Sequence, residues 1–360
     1  MRTFYKCIKT GLDNPDSSLG CYAMTPDDYS KFGGFFDKVI RDYHGDKSAK
    51  KCHVTSWTTA KEANFNVKNL GLKNPLSMRV RVGRNLVGFN LPGAMTKEER
   101  VEFELQMLPA FGQLKQKWGG KVYSLTPDFG VNGNNPNLID DSKYQELVDA
   151  HVMFKDMSAD PYLNSAGISD DWPYGRGCWQ SQDKMRIIWF GEEDQLRIMC
   201  MKQSFDLKEV FDNLKDMLDV VEKIDGIEFA KDDKYGYVTS CPSNLGTGMR
   251  ASVHLQIPKL TKDGTDRKAK EVCKPLGLSV RGTGGEHTPI GDDGTIDISP
   301  SARLFIKESE IIAKLYEGIA KLAAIENSAG PAITNGHEAA IKVATAKTDG
   351  VNIPAEPPLK

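Results

Sequence analysis

The sequence predicts an α+β protein, in which a small helical unit precedes a larger region that mixes strands with helices. Two observations support this prediction. The first 55 residues contain turn signals around Pro15 and Gly33 and a weakly helical segment at residues 26–43. From Ser77 onward, short segments alternate polar and apolar residues with a period of two, which is typical of strands with one buried face.

The composition is that of a soluble globular chain. The 360 residues are 39% hydrophobic and 27% charged, and the formal net charge is −2. This balance gives no signal for nucleic-acid or membrane binding, and no segment approaches the roughly 18 consecutive apolar residues of a membrane span. The N-terminus lacks the apolar core of a signal peptide. The seven cysteines form no Cys-x-x-Cys pair, which argues against zinc or a disulfide framework and predicts a reducing, cytoplasmic location.

Helices are predicted from capping signals and apolar periodicity. Thr96 and Glu99 form a capping box that opens a helix to about Trp118, which Pro109 should kink or interrupt. The expected apolar stripe of this helix consists of Val101, Leu105, Leu108 and Phe111. Further helices are predicted at residues 144–154, which include His151, and at residues 206–224 and 308–325. Short strands are predicted at residues 185–188, 196–201 and 278–281. After Asn327 the composition predicts a mobile tail or a linker.

A ten-residue stretch, CPSNLGTGMR from Cys241 to Arg250, joins two predicted strands. In the second strand Arg250 and His254 share a polar face. Proline, asparagine and two glycines between the strands are typical of a turn. A thiol at a strand end beside a basic sheet face is expected to have a lowered pKa. The alternative is a buried structural cysteine before a hairpin.

Five arginines lie on predicted strands or strand ends, each beside an apolar residue that points the other way. They are Arg79, Arg81, Arg197, Arg250 and Arg281. If the strands share one antiparallel sheet, all five can project from one face, where they repel one another unless an anion binds. Guanidinium groups match phosphate oxygens in charge and geometry, so a triphosphate fits this face. The alternative is that each arginine pairs with a surface carboxylate. The chain contains neither a P-loop motif nor Gly-x-Gly-x-x-Gly.

Two acidic segments could bind a cation. Glu192 and Glu193 lie in a predicted turn between strands, and Glu286 follows a glycine-rich loop. If Glu193 and Glu286 reach one cavity, they could hold a guanidinium group from two sides, with the Cys241 thiolate as a third negative partner. The alternatives are an ordinary charged hairpin and a mobile surface loop.

Four segments of the chain resemble signature sequences of the phosphagen (guanidino) kinases. CPSNLGT from Cys241 resembles their reactive-cysteine signature, WPYGRG from Trp172 their Trp-Pro-x-x-Arg-Gly, and EEDQLRI from Glu192 their Glu-Glu-Asp segment. RGTGGEH from Arg281 resembles the arginine-kinase form of the substrate loop, since creatine kinases have an aliphatic residue in place of Glu286.

The resemblance covers about residues 10–326 and implies the fold. It implies a small all-α N-terminal domain and a large domain with a multi-stranded antiparallel β-sheet flanked by helices. We place the first domain at residues 1–60 and the catalytic domain at residues 61–327, which leaves residues 328–360 as the tail.

The resemblance also implies residue roles. The five strand arginines would bind the phosphates of ATP or ADP, and Mg²⁺ would be held mainly by those phosphates and water. His151 and His254 would lie near the adenosine, under a loop that carries Asp297. Glu193, Cys241 and Glu286 would bind the guanidino group. The N-terminal specificity loop matches residues 14–22, in which the positions expected to contact the acceptor are Ser17, Leu19, Gly20 and Tyr22.

The function that the resemblance implies is reversible transfer of the ATP γ-phosphoryl group to arginine, by a monomer or homodimer whose partners are ATP and a small guanidino substrate. The specificity loop has Ser18 and Leu19 where arginine kinases usually have Gly and Val, so taurocyamine or another guanidino acceptor is an alternative. Residues 180–182 replace a His-Asn-Asp segment of the family, and against the resemblance we expect the N-terminal domain to be shorter by several helices. A non-catalytic nucleotide-binding scaffold is the alternative from a different class.

Overall fold

The computed structural model describes residues 2–48, 50–61, 63–72, 74–282, 290–291 and 293–328. Glu286 lies outside these residues, and so does the expected tail apart from Ser328. Within the described ranges the α-helices are α1 Arg2–Asp13, α2 Asp28–Lys31, α3 Gly33–Tyr43, α4 Lys97–Trp118, α5 Asp141–Asp149, α6 Pro161–Ser165, α7 Leu207–Val221, α8 Arg267–Cys273 and α9 Glu308–Glu326. The strands are β1 Leu76–Arg84, β2 Lys121–Ser124, β3 Gly177–Gln180, β4 Arg186–Phe190, β5 Leu196–Ser204, β6 Lys231–Asp232, β7 Gly236–Tyr237, β8 Met249–Gln256, β9 Leu278–Arg281 and β10 Thr295–Pro300.

Eight of these strands form one sheet in the order β2-β3-β4-β5-β1-β8-β10-β9, and β6 pairs with β7 alone. The pairs β2–β3, β3–β4, β8–β10 and β9–β10 are antiparallel. Helix α9 packs against β8, β9 and β10, and its buried side chains include Ile312, Leu315 and Ile319. The predicted α+β fold, with a helical N-terminal part and an antiparallel sheet flanked by helices, is therefore confirmed.

The helical N-terminal part is held together by aromatic contacts. The ring of Phe4 in α1 lies 5.1 Å from that of Phe32 and 5.3 Å from that of Phe35. The helix predicted at residues 26–43 forms as two helices, α2 and α3, which are separated at Phe32.

The chain divides into two compact units, each built from three segments. The first comprises Met1–Cys52, Arg81–Met199 and Asp216–Gly248, and the second comprises His53–Val80, Cys200–Lys215 and Met249–Lys360. None of the seven cysteines, all of which are among the described residues, forms a disulfide bond. No helix of the described residues combines the length and the apolarity that a membrane crossing would require.

Helix α4 corrects the predicted apolar stripe. Thr96 caps it through the predicted capping box with Glu99, but Val101, Leu105 and Leu108 are only half-buried. The buried face is displaced by one residue and consists of Arg100, Phe103, Glu104, Met107, Ala110, Phe111 and Leu114. The helix also continues through Pro109, which lies on its exposed side, although proline removes one hydrogen bond of the helix.

Helix α5 ends earlier than predicted. It begins after Asp140, whose side chain accepts a hydrogen bond from the Lys143 amide at 2.8 Å, and it ends at Asp149. His151 therefore lies beyond the helix, exposed and with a φ of 56°. The chain turns inward directly afterwards, because Trp189 Nε1 donates to the Val152 carbonyl at 2.6 Å.

A fully buried carboxyl on α4, that of Glu104, joins the helix to two other segments. It accepts hydrogen bonds from Ser124 Oγ at 2.6 Å and Thr126 Oγ1 at 2.5 Å. Thr126 Oγ1 in turn accepts from the Gly175 amide at 2.7 Å. Burial raises the pKa of Glu104 to about 7, although the two hydroxyl hydrogen bonds oppose this shift.

We expect Glu104→Gln to remove a pH dependence of stability. The folded chain keeps a proton on Glu104 up to about pH 7, whereas an unfolded carboxyl releases it near pH 4.5. The free energy of unfolding should therefore decrease as the pH rises from 5 to 8, by about 2–3 kcal/mol. Denaturant unfolding at pH 5 and at pH 8 gives the unfolding free energies of the variant and of wild type. The difference between variant and wild type should shift in favour of the variant by this amount as the pH rises from 5 to 8.

The matched control is Glu102→Gln, which changes an exposed carboxyl on the same helix. It should leave the difference from wild type equal at the two pH values. If Glu104→Gln behaves in the same way, Glu104 is not the group that binds the extra proton.

Candidate active site

The acidic turn between β4 and β5 is fixed by close backbone packing in the first unit. Gly191 has a φ of 76°, and a Cβ atom there would lie 2.0 Å from the Gly175 carbonyl oxygen. Only glycine accommodates both this backbone conformation and this approach. The Gly191 amide also donates to the Gln195 carbonyl at 3.0 Å, which closes the turn that carries Glu192, Glu193 and Asp194.

Arg176 supports this turn through hydrogen bonds to backbone carbonyl oxygens rather than to an anion. Its guanidinium is buried, and burial together with the nearby Arg100 charge lowers its pKa to about 9. It donates to the carbonyl oxygens of Gly191 at 3.1 Å, Tyr174 at 2.7 Å, Ile168 at 2.8 Å and Asp170 at 2.8 Å. The sequence identifies Arg176 only as part of a motif, because nothing local to it indicates four carbonyl partners.

Asp194 ties the acidic turn to two distant segments. Its buried carboxylate accepts from Asn85 Nδ2 and from the Ser240 amide, both at 2.8 Å. Asn85 Oδ1 accepts from the Gln195 amide at 2.9 Å, and Gln195 Oε1 accepts from the Leu86 amide at 2.7 Å. Burial raises the pKa of Asp194, and the bonds from Ser240 and Asn85 oppose that shift. The end of β1 and the residue before Cys241 are thereby held against one turn.

Glu193 and Glu192 both contact Arg197 on β5. Arg197 Nη2 donates to Glu193 Oε2 at 3.0 Å, and Arg197 Nε lies 2.7 Å from Glu192 Oε2. Asn244 Nδ2 donates to Glu193 Oε1 at 3.2 Å. Burial raises the pKa of Glu193, the Arg197 charge opposes this, and Glu192 and Asp194 add to the rise. Arg197 thus pairs with two carboxylates of the acidic turn, which are mostly buried and are not the surface carboxylates of the alternative prediction.

Cys241 does not end a strand as predicted, because β7 stops at Tyr237 and Cys241 instead precedes a 3₁₀ turn, Pro242–Asn244. Its Sγ atom lies 3.0 Å from Ser243 Oγ. The expectation of a lowered thiol pKa is wrong for this structure. Burial and the charge of Glu193 raise the pKa of Cys241, and the hydrogen bond from Ser243 only partly offsets them.

The predicted specificity loop is fastened to the segment before Cys241. The Ala23 amide donates to the Ser240 carbonyl at 2.8 Å, and Tyr29 Oη donates to the Thr239 carbonyl at 2.7 Å. Burial raises the pKa of Tyr22, and the charges of Glu193 and Cys241 add to this rise. The hydrogen bond between Ala23 and Ser240 attaches the backbone next to Tyr22 to the residue before Cys241.

Within the loop, Ser17 Oγ accepts from the Gly20 amide at 3.1 Å, and the Gly20 carbonyl accepts from the Gly11 amide at 2.9 Å. Leu19 is half-buried, whereas Ser18 is exposed. The loop conformation is thus set by the backbone of Gly20 and the hydroxyl of Ser17, and the two unusual positions are free of that constraint.

The predicted alternation of the strand arginines is confirmed on each strand. In β1, Val80 and Val82 are buried while Arg79 and Arg81 are half-buried. Arg197, Arg250 and Arg281 alternate in the same way with buried neighbours in β5, β8 and β9. Arg81, Arg197 and His151 belong to the first unit. The second unit contains the other predicted nucleotide-binding residues, which are Arg79, Arg250, His254, Arg281 and Asp297.

Asp297 lies in strand β10 and not in a loop, which corrects the sequence-based expectation. The strand forms because Ile296 and Ile298 are fully buried on its other face. Arg250 Nη2 donates to Asp297 Oδ2 at 2.6 Å, and His254 Nε2 lies 3.9 Å from Asp297 Oδ1. Among the described residues, no group of three or more His, Cys, Asp or Glu side chains could hold a metal ion.

Comparisons with known proteins indicate the family of the chain. The family model of the ATP:guanido phosphotransferase C-terminal catalytic domain matches residues 102–329, and that of the N-terminal domain matches residues 2–41. Arginine kinase 1 of Drosophila melanogaster is 35% identical over 91% of this chain and 86% of that protein. The arginine kinase of Anthopleura japonica is also 35% identical, but the chain spans only 43% of its length. The lombricine kinase of Eisenia fetida is 36% identical over 94% of this chain and 87% of that protein.

Solved structures give the same result. A crystal structure of lombricine kinase has a TM-score of 0.79 and 30% identity, and the match covers 92% of this chain and 88% of that one. The substrate-free duplicated taurocyamine kinase of Schistosoma mansoni has a TM-score of 0.77 and 33% identity, with 90% of this chain and 43% of that one covered. The chain with this acidic turn, its neighbouring cysteine and these strand arginines belongs to the ATP:guanido phosphotransferase, or phosphagen kinase, family.

Proposed function

We propose that the chain transfers the γ-phosphoryl group of MgATP reversibly to a guanidino nitrogen of arginine. The observation that carries this proposal is the position of Glu193 beside the segment that contains Cys241 in the first unit, which the hydrogen bonds from Ser240 to Asp194 and from Asn244 to Glu193 fix. Two groups that bear or can acquire negative charge lie there in a largely buried setting, which suits a planar cation.

A guanidinium substrate would reverse the pKa shifts at this site. Burial and mutual repulsion oppose ionisation of Glu193 and Cys241. A cation bound between them would favour the carboxylate and the thiolate, since an opposite charge a few ångströms away stabilises an ionised group. We expect Glu286 to supply a second carboxylate, as the sequence predicts.

Glu193 is our candidate for the group that accepts the proton lost by the attacking nitrogen. A general base works best when its pKa is close to the working pH, and burial moves the pKa of Glu193 in that direction. Arg197 and Asn244 fix its two oxygens from different sides, so the carboxylate has a defined orientation.

The strand arginines are proposed to bind ATP or ADP. Arg79, Arg81, Arg197, Arg250 and Arg281 would neutralise charge on the transferring phosphoryl group, and phosphoryl transfer depends mainly on such positioning and electrostatic stabilisation. His151 and His254 remain predicted neighbours of the adenosine, whereas Asp297 contacts Arg250. Mg²⁺ would add further charge neutralisation while held by phosphates and water.

Arginine is the acceptor we favour, with a specific alternative. Relatives named arginine kinase support it. The names lombricine kinase and taurocyamine kinase, at comparable identity, keep other guanidino acceptors open. Leu19 is half-buried within the specificity loop, so its side chain rather than that of exposed Ser18 is the position that we expect to tune acceptor choice.

The direct test is to incubate the protein with MgATP and, separately, arginine, taurocyamine, lombricine, glycocyamine and creatine, and to follow phosphorus NMR spectra for an N–P phosphagen signal. We expect a signal with arginine. A signal with another acceptor alone would exclude arginine as the substrate and would indicate that the loop around Leu19 selects the acceptor. MgATP binding without any phosphagen would instead favour a non-catalytic scaffold.

Glu193→Gln should lower kcat for the active acceptor by about 100-fold or more, because the amide orients the substrate but accepts no proton. For wild type, kcat/KM should rise with pH through the raised pKa of Glu193 and then level off, since the base must be ionised to act. The variant should lose this acid limb. The matched control is Glu192→Gln, which also removes a carboxylate partner of Arg197 and should retain the limb.

Cys241→Ala should lower turnover without unfolding the protein, because it removes a negative partner of the guanidinium from the site. Cys273→Ala, which deletes a buried thiol from α8, is the control for the loss of packing and should keep its turnover. Thermal unfolding and steady-state rates of both variants provide the comparison. Full activity of Cys241→Ala at saturating substrate would exclude the proposed role.

A further inference from the structure

The partner of Arg250 in the second unit is a carboxylate on the neighbouring strand. Arg250 Nη2 donates to Asp297 Oδ2 at 2.6 Å, and Arg250 Nε donates to Ser299 Oγ at 3.3 Å. The side chains of Arg250 and Asp297 are only 18% and 9% exposed. This is a charge-assisted hydrogen bond that is largely shielded from water, and such contacts are among the stronger polar contacts in proteins.

Asp297 also lies between basic residues on the two neighbouring strands. The strand register places Asp297 directly opposite His254 on β8 and directly opposite Arg281 on β9. His254 Nε2 lies 3.9 Å from the Asp297 carboxylate. One carboxylate therefore lies among three of the residues that we propose to bind the nucleotide.

A carboxylate and a phosphate make the same demand on a guanidinium group. Each offers oxygens that accept hydrogen bonds from the planar N–H groups of arginine, and each supplies compensating negative charge. Nη2 of Arg250 already donates to Asp297, so a phosphate must take that donor from the carboxylate or lie next to a like charge. Like charges in close contact disfavour binding.

We propose that Asp297 is an intramolecular stand-in for the nucleotide phosphates, a positioning residue that holds Arg250 and competes with phosphate for it. The inference rests on the proposed function, and it defines how that same site discriminates between polyphosphates. Binding then exchanges one anion for another on Arg250. This exchange keeps the guanidinium compensated before the nucleotide arrives and lowers the affinity for phosphate groups.

Competition of Asp297 for Arg250 and contact of Asp297 with the adenosine predict different effects on ligand affinity. If Asp297 bound the nucleoside, its loss would weaken ADP and leave a nucleoside-free polyphosphate unaffected. If Asp297 competes for Arg250, its loss should tighten the polyphosphate. Asp297→Asn keeps the shape of the side chain and removes its charge, so it separates the two roles.

The experiment is isothermal titration of inorganic tripolyphosphate and, separately, ADP into the full chain. The matched control is Asp293→Asn, an equal change of charge at an exposed residue just before β10, where the carboxylate accepts from the Thr295 amide at 3.0 Å and Gln256 Nε2 at 3.1 Å. We expect Asp297→Asn to tighten tripolyphosphate by about five- to tenfold and Asp293→Asn by less than about twofold. Unchanged or weaker tripolyphosphate binding by Asp297→Asn would overturn the proposal, and so would an equal gain in the control.

A crystal structure of the wild-type protein with tripolyphosphate keeps the proposal falsifiable if Asp297→Asn does not fold. Separation of Arg250 and Asp297 beyond about 4 Å would support the exchange, and retention of the ion pair would contradict it. Neither readout requires turnover. Failure of the acceptor test in phosphorus NMR would therefore bear on the proposed function, while tripolyphosphate binding would still decide the role of Asp297.

Discussion

The buried carboxylate of Asp194 is the interaction on which the candidate acceptor site depends. Its hydrogen bonds from Asn85 and the Ser240 amide join three segments that are far apart in sequence. One carries Arg81 at the end of β1, one carries Glu193, and one leads into Cys241. The specificity loop attaches to the same place, since the Ser240 carbonyl accepts from the Ala23 amide. A buried charge is stable only when such bonds compensate its desolvation, so this carboxylate enforces a single arrangement of the segments.

Three other buried ionisable groups among the described residues also meet several partners. Arg176 is satisfied by four carbonyl oxygens, Glu104 by two hydroxyls, and Arg197 by two carboxylates. The first two hold segments together, whereas Arg197 meets carboxylates of the proposed site. Arg250 in the second unit resembles Arg197, because its partner is also a carboxylate, which lies on an adjacent strand. The proposed site and the rest of the structure thus use the same types of charged residue. Only the partners of each residue distinguish a role in the site from a role in holding segments together.

Much of the fold could be predicted, because its signals are local. The alternation around Arg79, Arg197 and Arg250 depends on residues two positions apart, and the cap at Thr96 on residues three apart. Apolar periodicity misplaces the stripe of α4 by one residue, because the buried face includes Arg100 and Glu104, which partners outside the helix satisfy in the core. Apolar periodicity does not detect a charged residue whose partners come from elsewhere.

The sequence by itself determined the strand alternation, the caps and the family signatures, including the identity of the candidate site residues. The tertiary structure alone decided what surrounds those residues. Glu193 and Asn244 lie 51 positions apart, and Asp297 and Arg250 lie 47 apart, yet each pair shares a hydrogen bond. The rise in the pKa of Cys241 has the same origin, because its main causes are burial and the charge of Glu193, which is far from Cys241 in sequence. A pKa or an ion pair reflects all charges and solvent within a few ångströms, and folding rather than sequence proximity sets those distances.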